Sequence, residues 1–227
     1  MFGINKGAES PSDYFTDIAK ELVYKTQDYS AFGINEDIDI LTVPEDIWSY
    51  GGLFVPPTTF RTHSIVSTSA NDTSNGTGAR TARVYGVTSS GLESELITMG
   101  GLTPILTTKA YIDIYSFPLV TVGSANTNAG VITATAQVDG TVTAAISVMG
   151  FNTSRKAVRY IPEGYTGYLY DFDAGMQQAT ASSSANVYLL TKGNGEPWIS
   201  RRFHGLSNSG NSHEKDDYKV PLILPAQ

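Results

Sequence analysis

Residues 130–148, GVITATAQVDGTVTAAISV, show the clearest alternation of apolar and polar side chains in the chain. Apolar residues recur at every second position on both sides of a turn at 138–140, and this period is typical of strands with one buried face. A three-residue loop at the turn pairs Ala136 with Val142 and makes the two apolar faces coincide, whereas a two-residue loop opposes them. The pattern therefore predicts a β-hairpin in which Gly140 takes the left-handed conformation.

Comparable short segments continue from about residue 59 to the end of the chain, separated by loops rich in Gly, Asn, Ser and Pro. Regular short strands with such loops indicate an all-β fold, an antiparallel β-sandwich of jelly-roll type, rather than a parallel α/β fold. Pro118 and Pro221 fall within predicted strands and therefore indicate edge strands or bulges. The predicted strands are 61–69, 80–88, 93–99, 109–122, 130–137, 141–149, 156–161, 165–173, 185–192, 197–203 and 217–224.

One segment, residues 11–26, has the spacing of an amphipathic helix. Ser10 can cap this helix, and Pro11 suits its first position. Because a lone helix has to bury its apolar stripe, we expect it to pack against its own β-domain or against another protein. The stripe consists of Tyr14, Phe15, Ile18, Ala19, Leu22 and Val23. The sequence thus predicts an acidic helical arm over residues 1–46 and a β-sandwich domain over residues 47–227.

The net charge of −7 lies entirely in residues 1–60, which hold ten acidic and three basic residues, whereas residues 61–227 hold twelve of each. Such a run is either a solvated acidic face or a docking surface for a basic partner. A nucleic-acid partner is not expected, because a phosphate backbone requires a basic footprint. No membrane partner is expected either, because no apolar stretch has the length of a membrane span. The absence of cysteine excludes disulfides and thiolate metal sites.

The three histidines, His63, His204 and His213, do not have the spacing of a metal-binding motif. We predict that His63 lies on the surface or in a cross-strand pair. His204 and His213 flank a Gly/Asn/Ser loop followed by acidic residues, and a histidine–carboxylate metal site there is the alternative to solvated loop residues, which are commoner. We therefore predict no metal site and no cofactor.

Two pairs of carboxylates, Glu93/Glu95 and Asp171/Asp173, sit two residues apart on predicted strands. Glycoside hydrolysis needs two carboxylates about 5 to 10 Å apart across a sugar cleft. Residues two apart on a strand share one face, and solvent exposure is the favoured interpretation of both pairs. The chain also lacks the Gly-x-Ser-x-Gly turn of serine hydrolases. No catalytic residue is predicted, and the chain is not expected to be an enzyme.

An aromatic cluster is more suggestive of function. Tyr168, Tyr170 and Phe172 share one face of a predicted strand, and Trp198 follows further along the chain. A core or inter-sheet layer is the favoured interpretation. A protein interface is the alternative, because tyrosine combines a large apolar area with a polar tip, and a sugar-binding platform is the third.

Five segments have a distinctive order and spacing: PEDIWSYGG (44–52), SIVSTSANDTSNGTGARTARVYGV (64–87), TNAGVIT (127–133), YIPEGYTGYL (160–169) and DYKVPLILPA (217–226). Together they resemble a group of tailed-bacteriophage virion structural proteins, over most of residues 30–227. The resemblance implies a non-enzymatic particle component, located in the virion and assembled in the host cytoplasm. Members of the group continue beyond the last strand, so we expect the native chain to extend past Gln227.

The expected function is therefore structural: head decoration, or a tail adaptor or fibre-base protein, that forms homo-oligomers and contacts other virion proteins of the capsid, portal or tail. The helical arm is expected to bury its stripe against a neighbouring subunit, with its acidic residues meeting basic ones. The expected interface residues are Tyr14, Phe15, Ile18, Leu22, Asp13, Asp17 and Glu21. The alternative is a carbohydrate-binding module for host adsorption, in which Tyr168 and Trp198 hold a host glycan.

Overall fold

A computed structural model describes residues 17, 31–36, 38, 44–177, 184–193, 195–207 and 212–224. These ranges contain twelve strands, and the pairings between them are antiparallel. The predicted all-β class is thus confirmed. The strands are β1 His63–Ser67, β2 Ala79–Thr88, β3 Gly91–Thr98, β4 Ile105–Leu106, β5 Asp113–Ser116, β6 Leu119–Val122, β7 Ile132–Ala136, β8 Val142–Ile146, β9 Gly167–Met176, β10 Ser184–Thr191, β11 Ile199–Ser207 and β12 Ser212–Leu224.

Strands β1–β8 form two four-stranded sheets that share one hydrophobic core. The first sheet has the order β4-β1-β7-β8, and the second has the order β3-β2-β5, with β6 beside β5 on the same edge of the long strand β2. Both sheets contribute apolar side chains to the core, as expected for a sandwich. The core comprises Ile65, Ala79, Ala82, Val84, Ile97, Met99, Tyr111, Ile114, Phe117, Ile132, Ala134, Ala144 and Ile146.

The β7–β8 hairpin confirms the predicted register in its body and departs from it at the tip. Ile132 faces Ile146 and Ala134 faces Ala144, as the three-residue loop requires, but a bulge then pairs Thr135 with Val142. The predicted Ala136–Val142 pair is therefore wrong. Gly140 has the expected positive φ of 70°, and Val138 also has a positive φ, of 73°, because the tip folds as a longer loop.

The outer face of β8 is buried, although the alternation predicts a polar, solvated face there. Thr143 and Ala145 are at most 2% exposed. The cover is residues 44–57, which pack across this face: Ser49 Oγ donates to the carbonyl of Ala145 at 3.1 Å, and Trp48 bridges to Lys156. The segment PEDIWSYGG thus completes the sandwich from a distant part of the chain.

The predicted strand over residues 156–161 and the predicted interruptions at the two prolines can be compared with the structure. Residues 156–161, predicted as a strand, form none, and Lys156 pairs with Trp48 in an isolated bridge. Pro118 separates β5 from β6, and Pro221 lies at a register shift in β12, so both prolines mark the expected interruptions. The predicted helix over 11–26 lies outside the described residues apart from Asp17, which is helical and half-buried.

The remaining strands form two separate two-stranded sheets. Strand β9 pairs with β12, and β10 pairs with β11. We call these two sheets the ribbon pair. They contact each other through the rings of Phe172 on β9 and His204 on β11, which stack with centroids 4.8 Å apart.

Candidate functional site

The ribbon pair has an inward side that the two ribbons share. On β11, His204 and Leu206 are buried, and their cross-strand partners on β10, Val187 and Ala185, are half-buried. On β9, Ala174 is buried and Phe172 lies against His204. The inward residues therefore form a small apolar layer of their own, as the alternation of strand side chains requires.

Each ribbon carries an exposed apolar cross-strand pair. Tyr188 faces Phe203, with ring centroids 5.9 Å apart, and these side chains are 51% and 60% exposed. On the other ribbon, Tyr168 faces Ile223, and these are 56% and 62% exposed. We call Tyr188–Phe203 and Tyr168–Ile223 the exposed pairs. Large apolar side chains arranged in pairs on exposed sheets are typical of an interaction surface rather than of scattered surface residues.

The four aromatic residues predicted to act together occupy different environments. Tyr168 and Tyr170 are exposed, so the core interpretation is wrong for them, whereas half-buried Phe172 does belong to an inter-sheet layer. Trp198 precedes β11 on the other ribbon, is 53% exposed, and lies 5.9 Å from Lys192 Nζ. Of the residues predicted on the helical arm, Asp17 alone lies within the described residues.

Polar side chains on β9 and β12 contact one another through hydrogen bonds and ion pairs. His213 Nε2 lies 2.8 Å from Asp173 Oδ1, and Lys215 Nζ lies 2.8 Å from Asp217 and 3.8 Å from Asp171. The hydrogen bond to Asp217 raises the pKa of Lys215. Within the described residues, no three His, Cys, Asp or Glu side chains are grouped so as to hold a metal ion.

The other predicted carboxylate pair is structural. Glu95 is half-buried and accepts hydrogen bonds from Thr108, Lys109 and the hydroxyl of Tyr111. Burial, and then the hydrogen bond to Glu95, raise the pKa of Tyr111. The interpretation of Glu95 as solvent-facing decoration is therefore wrong, because the loop before β5 folds back onto its carboxylate.

The core contains a polar network that the sequence pattern does not predict. Lys156 Nζ lies 2.5 Å from Asp113 Oδ1 and donates to the carbonyl of Thr143 at 2.9 Å, while both charged side chains are almost fully buried. The hydroxyl of Thr143 lies 2.8 Å from His63 Nε2. Asp113 and Lys156 are 43 residues apart in sequence, and no local pattern links them.

His63 is fully buried, so its predicted surface position is wrong. The sequence does contain a signal for this burial: His63 lies two residues before Ile65 on β1 and therefore shares the inward face of the strand with it. Its Nδ1 lies 2.9 Å from the carbonyl of Arg61. Since a carbonyl can only accept, Nδ1 carries the proton and Nε2 accepts from Thr143. Burial lowers the pKa of His63 to about 4.

A groove of about 290 Å³ lies between the cover segment, residues 44–57, and the tip of the β7–β8 hairpin. Trp48 is one of its lining residues, and its ring lies near those of Tyr50 and Phe54, with centroids 5.2 and 5.4 Å away. Among the lining residues within the described chain, Tyr50 is the one with a titratable side chain.

Within the ranges that the structure describes, no helix has the length and apolar character needed to cross a membrane. No family model matches the chain, and no curated protein or solved structure matches it either.

Proposed function

We propose that this chain is a structural component of a bacteriophage virion that assembles through protein–protein contacts on the capsid or the tail. In this proposal it is a head decoration or a tail adaptor or fibre-base protein, forms a homo-oligomer, contacts other virion proteins, and is assembled in the host cytoplasm. Association, and not a reaction, is its activity. The jelly-roll connectivity and the helical arm over residues 11–26 belong to the same proposal, which the order and spacing of the five sequence segments support.

The exposed pairs of the two ribbons are the observation that carries the proposal. An isolated two-stranded sheet is marginal in water, because it has too few partners for its backbone and one unburied face. Here both ribbons leave paired aromatic and aliphatic side chains exposed. Burying such pairs against another molecule removes this apolar area from water.

A second copy of the chain is the partner that fits these surfaces best. Each ribbon strand pairs on one side with its neighbour and leaves its other edge unpaired among the described residues, so a neighbouring strand can add to it. The ribbon strands carry both signs of charge, with Arg201 and Arg202 on β11 and Asp171 and Asp173 on β9. A surface that carries both signs can complement a copy of itself.

Replacing Tyr188 and Phe203 together by Ser tests this surface. The variant is expected to weaken self-association at least about tenfold, since aromatic anchors carry most of the energy of an interface. Sedimentation velocity over a range of protein concentrations measures the change, and incorporation into particles measures its consequence.

Leu102→Ser is the control, because Leu102 is 61% exposed in the loop between β3 and β4 of the sandwich and belongs to neither ribbon. This control is expected to associate like the unmodified protein. Association of the Tyr188→Ser/Phe203→Ser variant at unmodified strength would overturn the proposed role of this surface.

A carbohydrate-binding module for host adsorption is the second candidate. The exposed rings of Tyr168 and Trp198 support it, because an exposed aromatic face combined with polar groups suits a sugar ring. Binding on a glycan array that is lost in Tyr168→Ala or Trp198→Ala would favour this function. Absence of glycan binding by the unmodified protein would remove it.

A further inference from the structure

The buried contact between Lys156 and Asp113 joins two distant parts of the sandwich. Asp113 is the first residue of β5 and pairs with Val87 of β2, whereas Lys156 follows β8 and bridges to Trp48. The side chains of Lys156 and Asp113 are 2% and 4% exposed. The ring of Phe54 covers the amine, with its centroid 4.3 Å from Nζ. An amine and a carboxyl group are thus held in direct contact where bulk water does not reach.

The partners available to this pair do not satisfy two charged groups. An ammonium has three N–H donors, but among the described residues Nζ has two oxygen acceptors, Asp113 Oδ1 and the carbonyl of Thr143, and otherwise faces the ring of Phe54. Asp113 Oδ2 is buried and has no hydrogen-bond partner among the described residues. Buried charges with incomplete partners are costly. The site therefore favours any change that removes both charges.

The amine is also biased toward its neutral, nucleophilic form. Burial lowers the pKa of Lys156, the charge of Arg159 lowers it further, and the adjacent carboxylate of Asp113 opposes both effects. A neutral amine has a free electron pair, which an ammonium lacks, so it can attack a carboxyl carbon in contact with it.

We propose that Lys156 and Asp113 condense to an intramolecular isopeptide bond between Nζ and Cγ. One proton passes from the ammonium to the carboxylate, which gives a neutral amine and a carboxylic acid. The Nζ electron pair then attacks Cγ, a second proton leaves the nitrogen, and one C–O bond breaks. The departing oxygen carries both protons away as water, and the remaining N–H belongs to the amide. No oxidant, reductant or cofactor is consumed.

The product suits its surroundings better than the ion pair does. The amide is uncharged, and its single N–H has a ready acceptor in the carbonyl of Thr143, which already receives a hydrogen bond from Nζ. The apolar cover of Phe54 keeps water away from the new bond and so protects it from hydrolysis. The bond closes a covalent ring over residues 113–156 and ties β5 to the segment that follows β8.

Intact mass spectrometry of the full chain, purified in its folded form and then denatured, tests the proposal. The measured mass is expected to be one water molecule below the mass calculated from the sequence, whether or not Met1 has been removed. A proteolytic digest is expected to contain a branched peptide in which Lys156 and Asp113 are joined. Lys156→Met and Asp113→Ala are expected to have the full mass of their own sequences.

The digest is essential because cyclisation at Asp139-Gly140 also removes one water. Unmodified protein at full mass, or a water loss that maps to another site or persists in Lys156→Met, overturns the proposal. If the variants do not fold, the mass and digest of the unmodified protein decide it alone.

Discussion

At the scale of single residues, polar side chains in the core are the most informative feature of this protein. His63, Asp113 and Lys156 all lie within the sandwich and are buried. Such residues are rarely buried without partners. Hydrogen bonds from His63 and Lys156 meet at Thr143 of β8, at its hydroxyl and at its carbonyl respectively, and Asp113 bonds to Lys156. The packing of this one strand therefore depends on the protonation of its neighbours.

Acid is expected to destabilise the fold through His63. Its pKa is about 4 in the native protein and about 6.5 in the unfolded chain. Between these values the unfolded chain binds the proton and the native protein does not, so the free energy of unfolding falls as the pH drops from 6.5 to 4. The loss from this group is about 3 kcal/mol and is complete below pH 4.

Urea unfolding at several pH values, compared between the unmodified protein and His63→Gln, measures this loss. The variant lacks the titrating ring and is expected to show a flatter dependence between pH 6.5 and 4. Equal slopes for the two proteins would mean that other groups set the response to acid.

At the scale of elements, loops as well as strands hold the sandwich together. Asp72 is fully buried in the loop between β1 and β2. Its Oδ1 accepts from the backbone N–H groups of Ala79 and Ala129, and its Oδ2 accepts from Gly130 and from the hydroxyl of Ser67. This one carboxylate therefore joins the start of β2 to the loop that leads into β7.

Asp72→Asn is expected to lower the free energy of unfolding by about 2–4 kcal/mol. An amide has to direct its NH₂ group at one of the two pairs of donors, so at least one pair loses its acceptor. Chemical denaturation measures the change, and Asn75→Ala, at an exposed position of the same loop, is the control with an expected change within about 0.5 kcal/mol. A similarly small change in Asp72→Asn would contradict this role.

At the scale of the whole molecule, local alternation of apolar and polar residues predicts where strands lie, but not which distant residues cover their faces. The body of the β7–β8 hairpin was predictable because turn chemistry and apolar pattern agree there. The burial of Thr143 was not predictable, because the residues that cover it are Trp48 and the residues next to Trp48, which are far away in sequence. The exposure of Tyr168 and Tyr170 was not predictable either, since a strand with alternating aromatic residues has the same sequence pattern whether those residues face a core or solvent.

Removal of residues 1–30 is expected to leave the sandwich folded while abolishing assembly. Every member of the described core cluster lies between residues 65 and 146, so we expect the free energy of unfolding to change by less than about 1 kcal/mol. Denaturation measures stability, and the amount of protein incorporated into particles measures assembly. Incorporation of the shortened chain at the normal level would show that the arm is not needed for docking.

The two tryptophans of the chain lie in opposite surroundings. Trp48 is 3% exposed and belongs to the segment 44–57 that covers the sandwich, whereas Trp198 is 53% exposed and directly precedes β11. A shielded indole emits at shorter wavelength than a hydrated one and is out of reach of dissolved quenchers. The intrinsic fluorescence of this protein consequently contains two separable signals, one from the sandwich and one from the ribbon pair, and the second is the one that contact with another molecule would alter.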